Sequence, residues 1–310
     1  MTREPATSEP ATADAVTSAP VTGEPATGEP ASAVPWGGPG RRGPRHVLDF
    51  YLTTARTAIA EQFQYRAANY AYMIGMVVEP VVYLVVWRTI AEQSGGSVEG
   101  YTPGTFAAYY IVWTLVRNMN IVFTPYGWEE RIREGHLSAL LLRPMHPLHF
   151  DLAYFAGWKV VVIVLWLPIA ALLSLAFHPT FSLSWARVGA FVVAIWGAYL
   201  VRSLLLWLLG MVTFWTTRVS ALFELFFTLE LLLSGRLVPL TLMPDWVRTV
   251  AAWTPFPSTF GFPIETLAGN LDGRDLARGL GVQLLWVLIG WALIRLTWPW
   301  AVRRYAAVGG

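Results

Sequence analysis

Six apolar stretches, each long enough to cross a bilayer as a helix, constrain this chain more than any other feature. They lie at roughly 68–90, 105–124, 152–177, 188–214, 219–236 and 280–301. About 20 apolar residues span the hydrocarbon core of a membrane. The stretches lack the strict alternation of transmembrane β-strands, so helices are the structure that satisfies their backbone hydrogen bonds. The sequence predicts an all-α polytopic membrane protein with six transmembrane helices.

The composition supports a membrane location and excludes several classes of site. Hydrophobic residues make up 55% of the chain and charged residues only 14%, whereas a soluble domain carries about 25% charged residues. The net charge of +2 gives no footprint for nucleic-acid binding. Cysteine is absent, which excludes disulfides and thiolate metal sites. The only lysine, Lys159, is followed by valine, so the Lys-Ser/Thr pair of a P-loop ATPase cannot be formed.

Two segments precede the first apolar stretch. Residues 1–44 repeat Glu-Pro-Ala-Thr and related sequences with few large apolar residues, and we expect a disordered Pro/Ala/Thr-rich tail without a fixed role. Residues 45–67 show a mixed helical pattern in which Val47, Phe50 and Ile59 share a face. This pattern favours a helix that lies in the membrane interface. An exposed extension of the first span is the alternative.

The distribution of arginine predicts the orientation. Basic segments precede the first stretch, separate the second from the third and the fourth from the fifth, and follow the sixth. The loops 91–104 and 178–187 carry only Arg187. Basic loops stay on the cytoplasmic side of a membrane. We therefore expect a multi-pass protein of the cell (plasma or inner) membrane with both termini cytoplasmic.

A charged loop at 125–150 interrupts the apolar pattern. Trp128, Ile132 and Leu137 approximate one helical face, while acidic and basic residues occupy the other. Gly135 interrupts the turn and Pro144 ends it. The loop is predicted to form a cytoplasmic amphipathic helix. Such a helix either offers a docking surface to a soluble partner or lies on the lipid headgroups as a connector.

The segment 235–279 combines helix breakers with large apolar residues. They include Gly235, Pro239, Pro244, Trp246, Pro255 and Phe256. Non-helical backbone at membrane depth is tolerated where protein covers it. We interpret the segment as a broken hairpin that dips into the outer leaflet, with short helices at 244–254 and 259–268. The alternative is an interfacial cap.

Polar residues at membrane depth are candidates for pairing or for a pathway. They are Glu79, Arg88, Arg117, Asn118, Asn120, Arg202, Glu224 and Glu230. Arg202 and Glu230 each lie about fourteen residues from the turn that joins the fourth and fifth stretches, so they reach the same depth and are predicted to pair. His146-x-x-His149 lacks further ligands nearby, and we expect no metal site.

The order and spacing of two motifs resemble a known family. The first is Glu134-Gly135-x-Leu137-x-x-Leu140-Leu141-x-Arg143-Pro144, and the second is Gly235-x-x-x-Pro239-x-x-x-x-Pro244-x-Trp246. On six spans they resemble the permease subunit of type-2 ABC exporters, in the bacterial branch whose genes often encode two different permeases beside one ATPase. The resemblance covers about residues 46–305 and leaves out the tail.

The resemblance implies a fold and a set of partners. Residues 45–67 would be a connecting helix, and 68–305 a permease domain with a coupling helix at 128–142 and a re-entrant outer hairpin at 237–270. The coupling residues would be Trp128, Glu129, Glu130, Arg131, Arg133, Glu134, Gly135, Leu137, Leu140, Leu141 and Arg143. A second permease, of the same or a different chain, and two copies of an ABC ATPase would complete the transporter. ATP and Mg²⁺ would bind to the ATPase, and this chain would carry no cofactor and no catalytic site.

A different class of function stays open at this point. The chain could be an intramembrane enzyme or a scaffold that acts on lipid-linked substrates. An enzyme needs polar groups that converge near one interface, whereas the embedded charges are scattered along the sequence. The pattern favours the export permease, and it does not identify the cargo.

Overall fold

The computed structural model describes residues 44–143, 145–216, 219–269 and 271–305, which form eleven α-helices. The helices are α1 (Pro44–Gln64), α2 (Arg66–Gln93), α3 (Pro103–Met119), α4 (Pro125–Arg133), α5 (His136–Leu141), α6 (Pro147–Phe177), α7 (Trp185–Met211), α8 (Ser220–Leu233), α9 (Asp245–Ala252), α10 (Gly261–Ala268) and α11 (Gly273–Arg304). These described residues form no strand, which confirms the all-helical class. Except for Pro44, the predicted tail lies outside them.

Four helices in the described part of the chain are long and apolar enough to cross a membrane. They cover Ala67–Gln93, Pro147–Phe177, Trp185–Phe214 and Gly273–Arg304. The predicted stretches at 105–124 and 219–236 form shorter helices, α3 with 17 residues and α8 with 14. The helix α8 ends just before Gly235, whose φ of 81° cannot continue a right-handed helix. Both stretches are therefore shorter as helices than their apolar length predicts.

The helix α3 forms the centre of the packed core. Thr102 and Thr105 form a capping box at its start, and Pro103 occupies the first helical position. Every residue from 106 to 116 is buried. The helix contacts α2, α6 and α10. A helix that is buried on all sides needs neighbours on all sides, and α3 is the element around which the others assemble.

The helix α1 packs along α6 at very close range. A Cβ added at Gly157 of α6 would lie 2.5 Å from the backbone oxygen of Ala55, so only glycine allows this approach. Tyr51 also bonds His149 Nδ1 at 2.8 Å. Leu48 and Leu52, by contrast, are exposed. The helix therefore has one face fixed to α6 and another that is apolar and exposed.

Two long helices, α7 and α11, pack against each other and against the segment that precedes α10. The Gln283 amide on α11 donates to the carbonyls of Ala194 and Ser258, both at 2.9 Å. Gly197 leaves the space that the Gln283 side chain occupies. This one buried amide therefore joins α7, α11 and the turn before α10.

Candidate functional site

The charged loop forms two short helices rather than the single helix predicted at 128–142. The break is at Glu134–Gly135, where Gly135 has a φ of 72°. A residue in the left-handed region ends a right-handed helix and turns the chain. The helices α4 and α5 therefore point in different directions, and the side chains do not share the single face that a continuous helix would give.

Trp128 anchors this loop to the membrane helices. Its side chain is fully buried, and its ring centroid lies 4.8 Å from that of Trp207. Gly210 on α7 lies so close to the indole that a Cβ there would collide with it. Leu137 on α5 is also fully buried in the same cluster. Trp128 and Leu137 are thus buried as predicted for apolar residues, each on its own short helix, and they are covered by α7 and α11 and not available to a partner.

Arg131 also turns inward, although the helical pattern placed it on the charged face. Its guanidinium donates two hydrogen bonds to the Asp151 carboxylate on α6, at 2.9 and 2.6 Å. It stacks 3.7 Å above the ring centroid of Phe123, and Trp207 Nε1 donates to the same carboxylate at 3.0 Å. Sequence reasoning missed this role, and the available signal was the lone acidic residue, Asp151, near the start of an apolar stretch.

The remaining charged side chains form an exposed surface, the α4–α5 patch. It consists of Glu130, Arg133, Glu134, His136, Leu142 and Arg143. Arg133 and His136 have 79% and 67% of their side chains exposed, and Leu142 is 88% exposed. Glu134 lies 3.6 Å from His136 Nδ1 and 3.9 Å from Arg133. A large exposed leucine among weakly paired charges of both signs is suited to a protein partner. Glu129, Leu140 and Leu141 are partly buried.

The two histidines of His146-x-x-His149 have structural roles. His146 Nδ1 accepts a hydrogen bond from the Leu148 amide at the start of α6, and burial lowers the pKa of His146 to about 4. His149 bonds Tyr51. Within the described ranges, no group of three or more His, Cys, Asp or Glu side chains is placed to hold a metal ion.

The chain between α8 and α9 is non-helical where it passes beside α3. Three side chains of α3 donate to its consecutive carbonyls: Tyr109 to Gly235 at 2.6 Å, Trp113 to Arg236 at 2.8 Å, and Tyr110 to Leu237 at 3.0 Å. Buried backbone groups outside a regular helix need such partners. The segment starting at Gly235 is therefore stabilised by aromatic donors spaced along α3.

Beyond this segment the two predicted short helices are present, as α9 and α10. Pro244 precedes α9, Pro255 precedes the turn that leads toward α10, and Pro239 is buried. Phe256 packs with Leu233, Val247 and Ala251, whereas Trp246 on α9 is 69% exposed. The amide of Asn120 donates to the Thr259 carbonyl at 2.6 Å. The segment is thus attached to α3 at several points.

One carboxyl of α10 is buried beside a cavity. The Tyr101 hydroxyl donates to the Glu265 carboxylate, and a cavity of about 250 Å³ lies next to them, lined also by Glu99, Thr105 and Thr241. Burial raises the pKa of Glu265 to about 7. No motif or spacing in the sequence links Glu265 to Tyr101, because the two residues are 164 positions apart.

The predicted pair Arg202–Glu230 is confirmed. Arg202 donates from Nε and Nη2 to the two oxygens of Glu230, both at 2.8 Å, and Glu230 is fully buried. Arg202 also donates to the Asn120 carbonyl. Matching residues by their distance from a helical turn was therefore sufficient to find this pair.

The other embedded polar residues take three different positions. Glu79 on α2 accepts hydrogen bonds from Arg117 and, at 3.4 Å, from Arg236. Asn118 is buried and donates to the Thr114 carbonyl at 2.8 Å, so it belongs to the core. Glu224 is exposed on α8. Arg236, which pairs with Glu79, lies at the last position of the fifth apolar stretch and was not among the predicted embedded residues.

Comparison with known proteins adds a family to this geometry. Residues 77–309 match the family model described as "ABC-2 family transporter protein". The match runs from within α2 through α11 and so includes the α4–α5 patch, the aromatic-supported segment and the embedded charges. A search of curated proteins found no match to the chain.

Proposed function

Because the chain belongs to the ABC-2 family of transporter proteins, as a multi-pass membrane permease, we propose that it serves an exporter driven by a separate ATPase. In this proposal two copies of an ABC ATPase bind ATP and Mg²⁺, and a second permease completes the substrate pathway. The sequence agrees with this division of work, since its only lysine cannot belong to a P-loop. ATP hydrolysis is thus assigned to the partner.

We propose that α3 and α8 complete a set of six spans. With 17 and 14 residues they are about 25 and 21 Å long, which is less than the hydrocarbon core of about 30 Å. The non-helical residues from Gly235 onward would cover the remaining depth beside α8. Their hydrogen bonds from the aromatic side chains of α3 support this role. The helices α9 and α10 would then form a re-entrant hairpin at the outer surface.

The observation that carries the proposal is the two-sided construction of the α4–α5 loop. One side is fixed to α6 and α7 by Trp128 and Arg131, and the other side, the α4–α5 patch, is exposed. A loop attached in this way cannot move without moving the long helices. A partner that binds the patch and changes shape would therefore transmit force to the membrane helices, which is what a coupling element requires.

The pathway would form between two permeases along α2 and α8. Both helices expose apolar side chains, including Val78 and Val82 on α2 and Leu225 on α8. The helix α2 contacts mainly α3, and α8 contacts mainly the outer segment. These two helices therefore present unpartnered apolar faces next to the embedded charges. We assign the basic loops, the α4–α5 patch and both termini to the cytoplasmic side, on the distribution of arginine.

The docking role is tested by reversing two exposed charges. The double substitution Arg133→Glu with Glu134→Arg keeps the net charge, and it changes side chains whose ion pair is long and solvent-exposed. We expect the variant to insert and fold normally and to lose most of the ATPase that copurifies with the native chain. The matched control is Asp245→Arg with Arg248→Asp, an exposed pair on α9. Normal ATPase recovery and normal export by the patch variant would contradict the docking role.

A further inference from the structure

The polar groups between α2, α3 and the end of α8 carry more positive than negative charge. Glu79 forms ion pairs with two arginines. Arg117 donates to one carboxylate oxygen and Arg236, at 3.4 Å, donates to the other. The nearest further charges are Arg202 and Glu230, which neutralise each other. Among the described residues this region therefore holds three guanidiniums and two carboxylates, and the buried Lys159 beside it, which donates to the Asn118 and Ile121 carbonyls, adds no negative charge. At least one positive charge is left without a counter-charge.

The surplus charge lies beside the middle of a helix that is long and apolar enough to cross a membrane. Glu79 is about 18 Å along α2 from Ala67 and about 21 Å from Gln93, at 1.5 Å per residue. An uncompensated charge at such a depth is costly and is rare without a functional reason. The aromatic ring of Trp113 lies 5.1 Å from the Arg117 guanidinium carbon and 5.8 Å from that of Arg236. These contacts stabilise the cations but do not neutralise them.

The two guanidiniums also have N–H groups that could donate further hydrogen bonds. Arg236 Nε is buried and has no hydrogen-bond acceptor in the described part of the chain. The side chains of Arg117 and Arg236 are each 19% exposed and that of Glu79 is 32% exposed, so the group opens to the surface, unlike the buried Glu230. The planar guanidinium of arginine can donate two parallel hydrogen bonds to the oxygens of a phosphate or carboxylate group. An anion that approached from this surface would meet donors from two arginines at once.

From this arrangement we propose that Arg117 and Arg236 bind the anionic headgroup of an amphiphilic cargo, with Glu79 holding both arginines in place when the site is empty. The surface around Glu79 is apolar, with Val78 and Val82 more than half exposed, and would contact the cargo's tail. Headgroups of resident lipids remain at the membrane surfaces, whereas this site is near mid-depth. The inference rests on the proposed function, in which this face lines the pathway.

Binding is measured on the full chain alone, purified in a neutral detergent, so that the result does not depend on the ATPase. The probe is dodecyl phosphate, and the readout is the saturable rise in the thermal unfolding midpoint. Dodecyltrimethylammonium supplies the same tail with a cation, and inorganic phosphate supplies the headgroup without a tail. We expect saturable stabilisation by dodecyl phosphate only. Failure of the proposed function would instead appear as a missing ATPase in the native complex.

Variants assign the binding to these residues. Arg117→Gln and Arg236→Gln should each weaken dodecyl phosphate binding by about tenfold or more, since each removes a charge-assisted contact. Arg88→Gln is the matched control on α2, because Arg88 pairs with Glu92 at the exposed outer end of the helix. Glu79→Gln should tighten binding severalfold, since it removes the competing carboxylate. A purely structural role for Glu79 predicts no such gain.

Three results would overturn the proposal. The first is equal stabilisation by dodecyltrimethylammonium, and the second is saturable binding of inorganic phosphate alone, which would exclude an amphiphile as the specific ligand. The third is unchanged or weaker binding in Glu79→Gln. If a glutamine variant does not fold, Arg117→Lys and Arg236→Lys replace it: lysine keeps the charge but loses the fork, and unaltered binding in both lysine variants would also count against the assignment.

Discussion

Arg131 of α4 and Asp151 of α6 form a two-pronged ion pair, with hydrogen bonds of 2.9 and 2.6 Å, that joins the charged loop to a membrane-spanning helix. The carboxylate is almost fully buried and receives a third hydrogen bond from Trp207. Arg133, two residues later on the same helix, is exposed. Neighbouring arginines of one short helix thus have opposite roles, one in attachment and one at the surface.

The first prediction compares these two arginines. Arg131→Glu places a second carboxylate against Asp151, and breaking a buried pair costs about 3–5 kcal/mol. We expect a clear fall in the unfolding midpoint of the purified chain. Arg133→Glu, the matched control, should leave the midpoint nearly unchanged. Equal effects of the two substitutions would mean that the Arg131–Asp151 pair does not hold the loop.

The second prediction concerns the indole that anchors the same loop. Trp128→Ala removes a fully buried side chain, and such truncations cost about 3–5 kcal/mol. Gly210→Leu should act similarly, because its side chain would occupy the space of the indole. Trp253→Ala is the control, since Trp253 is 83% exposed. Unfolding in mixed detergent micelles measures all three, and a stable Trp128→Ala variant would show that the anchor is dispensable.

The third prediction is a pH dependence of stability that arises from Glu265. Its pKa is raised from 4.5 to about 7 in the folded chain, so the folded state holds the proton more tightly than the unfolded state. The contribution of Glu265 to stability therefore falls as the pH rises from about 4.5 to about 7, by up to about 3 kcal/mol, and levels off above that range. His146, whose pKa is lowered to about 4, contributes in the opposite direction between about pH 4 and 6.5. Glu265→Gln should remove this part of the dependence while it still accepts the Tyr101 hydrogen bond.

The control for this measurement is Glu92→Gln, because half of the Glu92 side chain is exposed. It should leave the pH profile as it is in the native chain. A Glu265→Gln variant whose stability changes with pH over pH 5–7 in the same way as that of the native chain would assign the dependence to other groups.

The fourth prediction is that Arg202 and Glu230 are energetically coupled. Either single substitution, Arg202→Met or Glu230→Leu, leaves a charge unpaired in the interior and should destabilise the fold by about 3–5 kcal/mol. The double variant should be more stable than the sum of the single effects predicts. The exposed pair Arg88–Glu92 should show coupling below about 1 kcal/mol. Additive effects at Arg202 and Glu230 would contradict the pairing as a source of stability.

The length of the long apolar helices and the relative depth of residues on neighbouring helices could be predicted from the sequence. The direction in which individual side chains point could not. Apolar length located α2, α6, α7 and α11, and equal distance from a turn identified the partner of Arg202. The prediction that the charged loop forms one helix is wrong at Gly135, where a positive φ changes the direction of the chain. Arg131 lies before this break, three residues after the buried Trp128 on the same helix α4, and its charge led to the prediction that it is at the surface, although it is turned inward.

The segment between α8 and α10 illustrates the same limit. Proline and glycine marked where helices end, and both short helices were found on that basis. The pattern could not show that Tyr109, Tyr110 and Trp113 support the carbonyls of a segment more than 120 residues away. Such contacts depend on tertiary packing, which local periodicity does not record. Arg236 was overlooked for the same reason, since its partner is on α2.

Gentle purification of the native complex, with mass analysis of every subunit, tests the central claim most directly. We predict that an ABC ATPase copurifies with two permease chains, and that ATP hydrolysis is lost when the ATPase is removed. An intact complex without any nucleotide-hydrolysing subunit would contradict the account, and so would ATP hydrolysis by this chain alone.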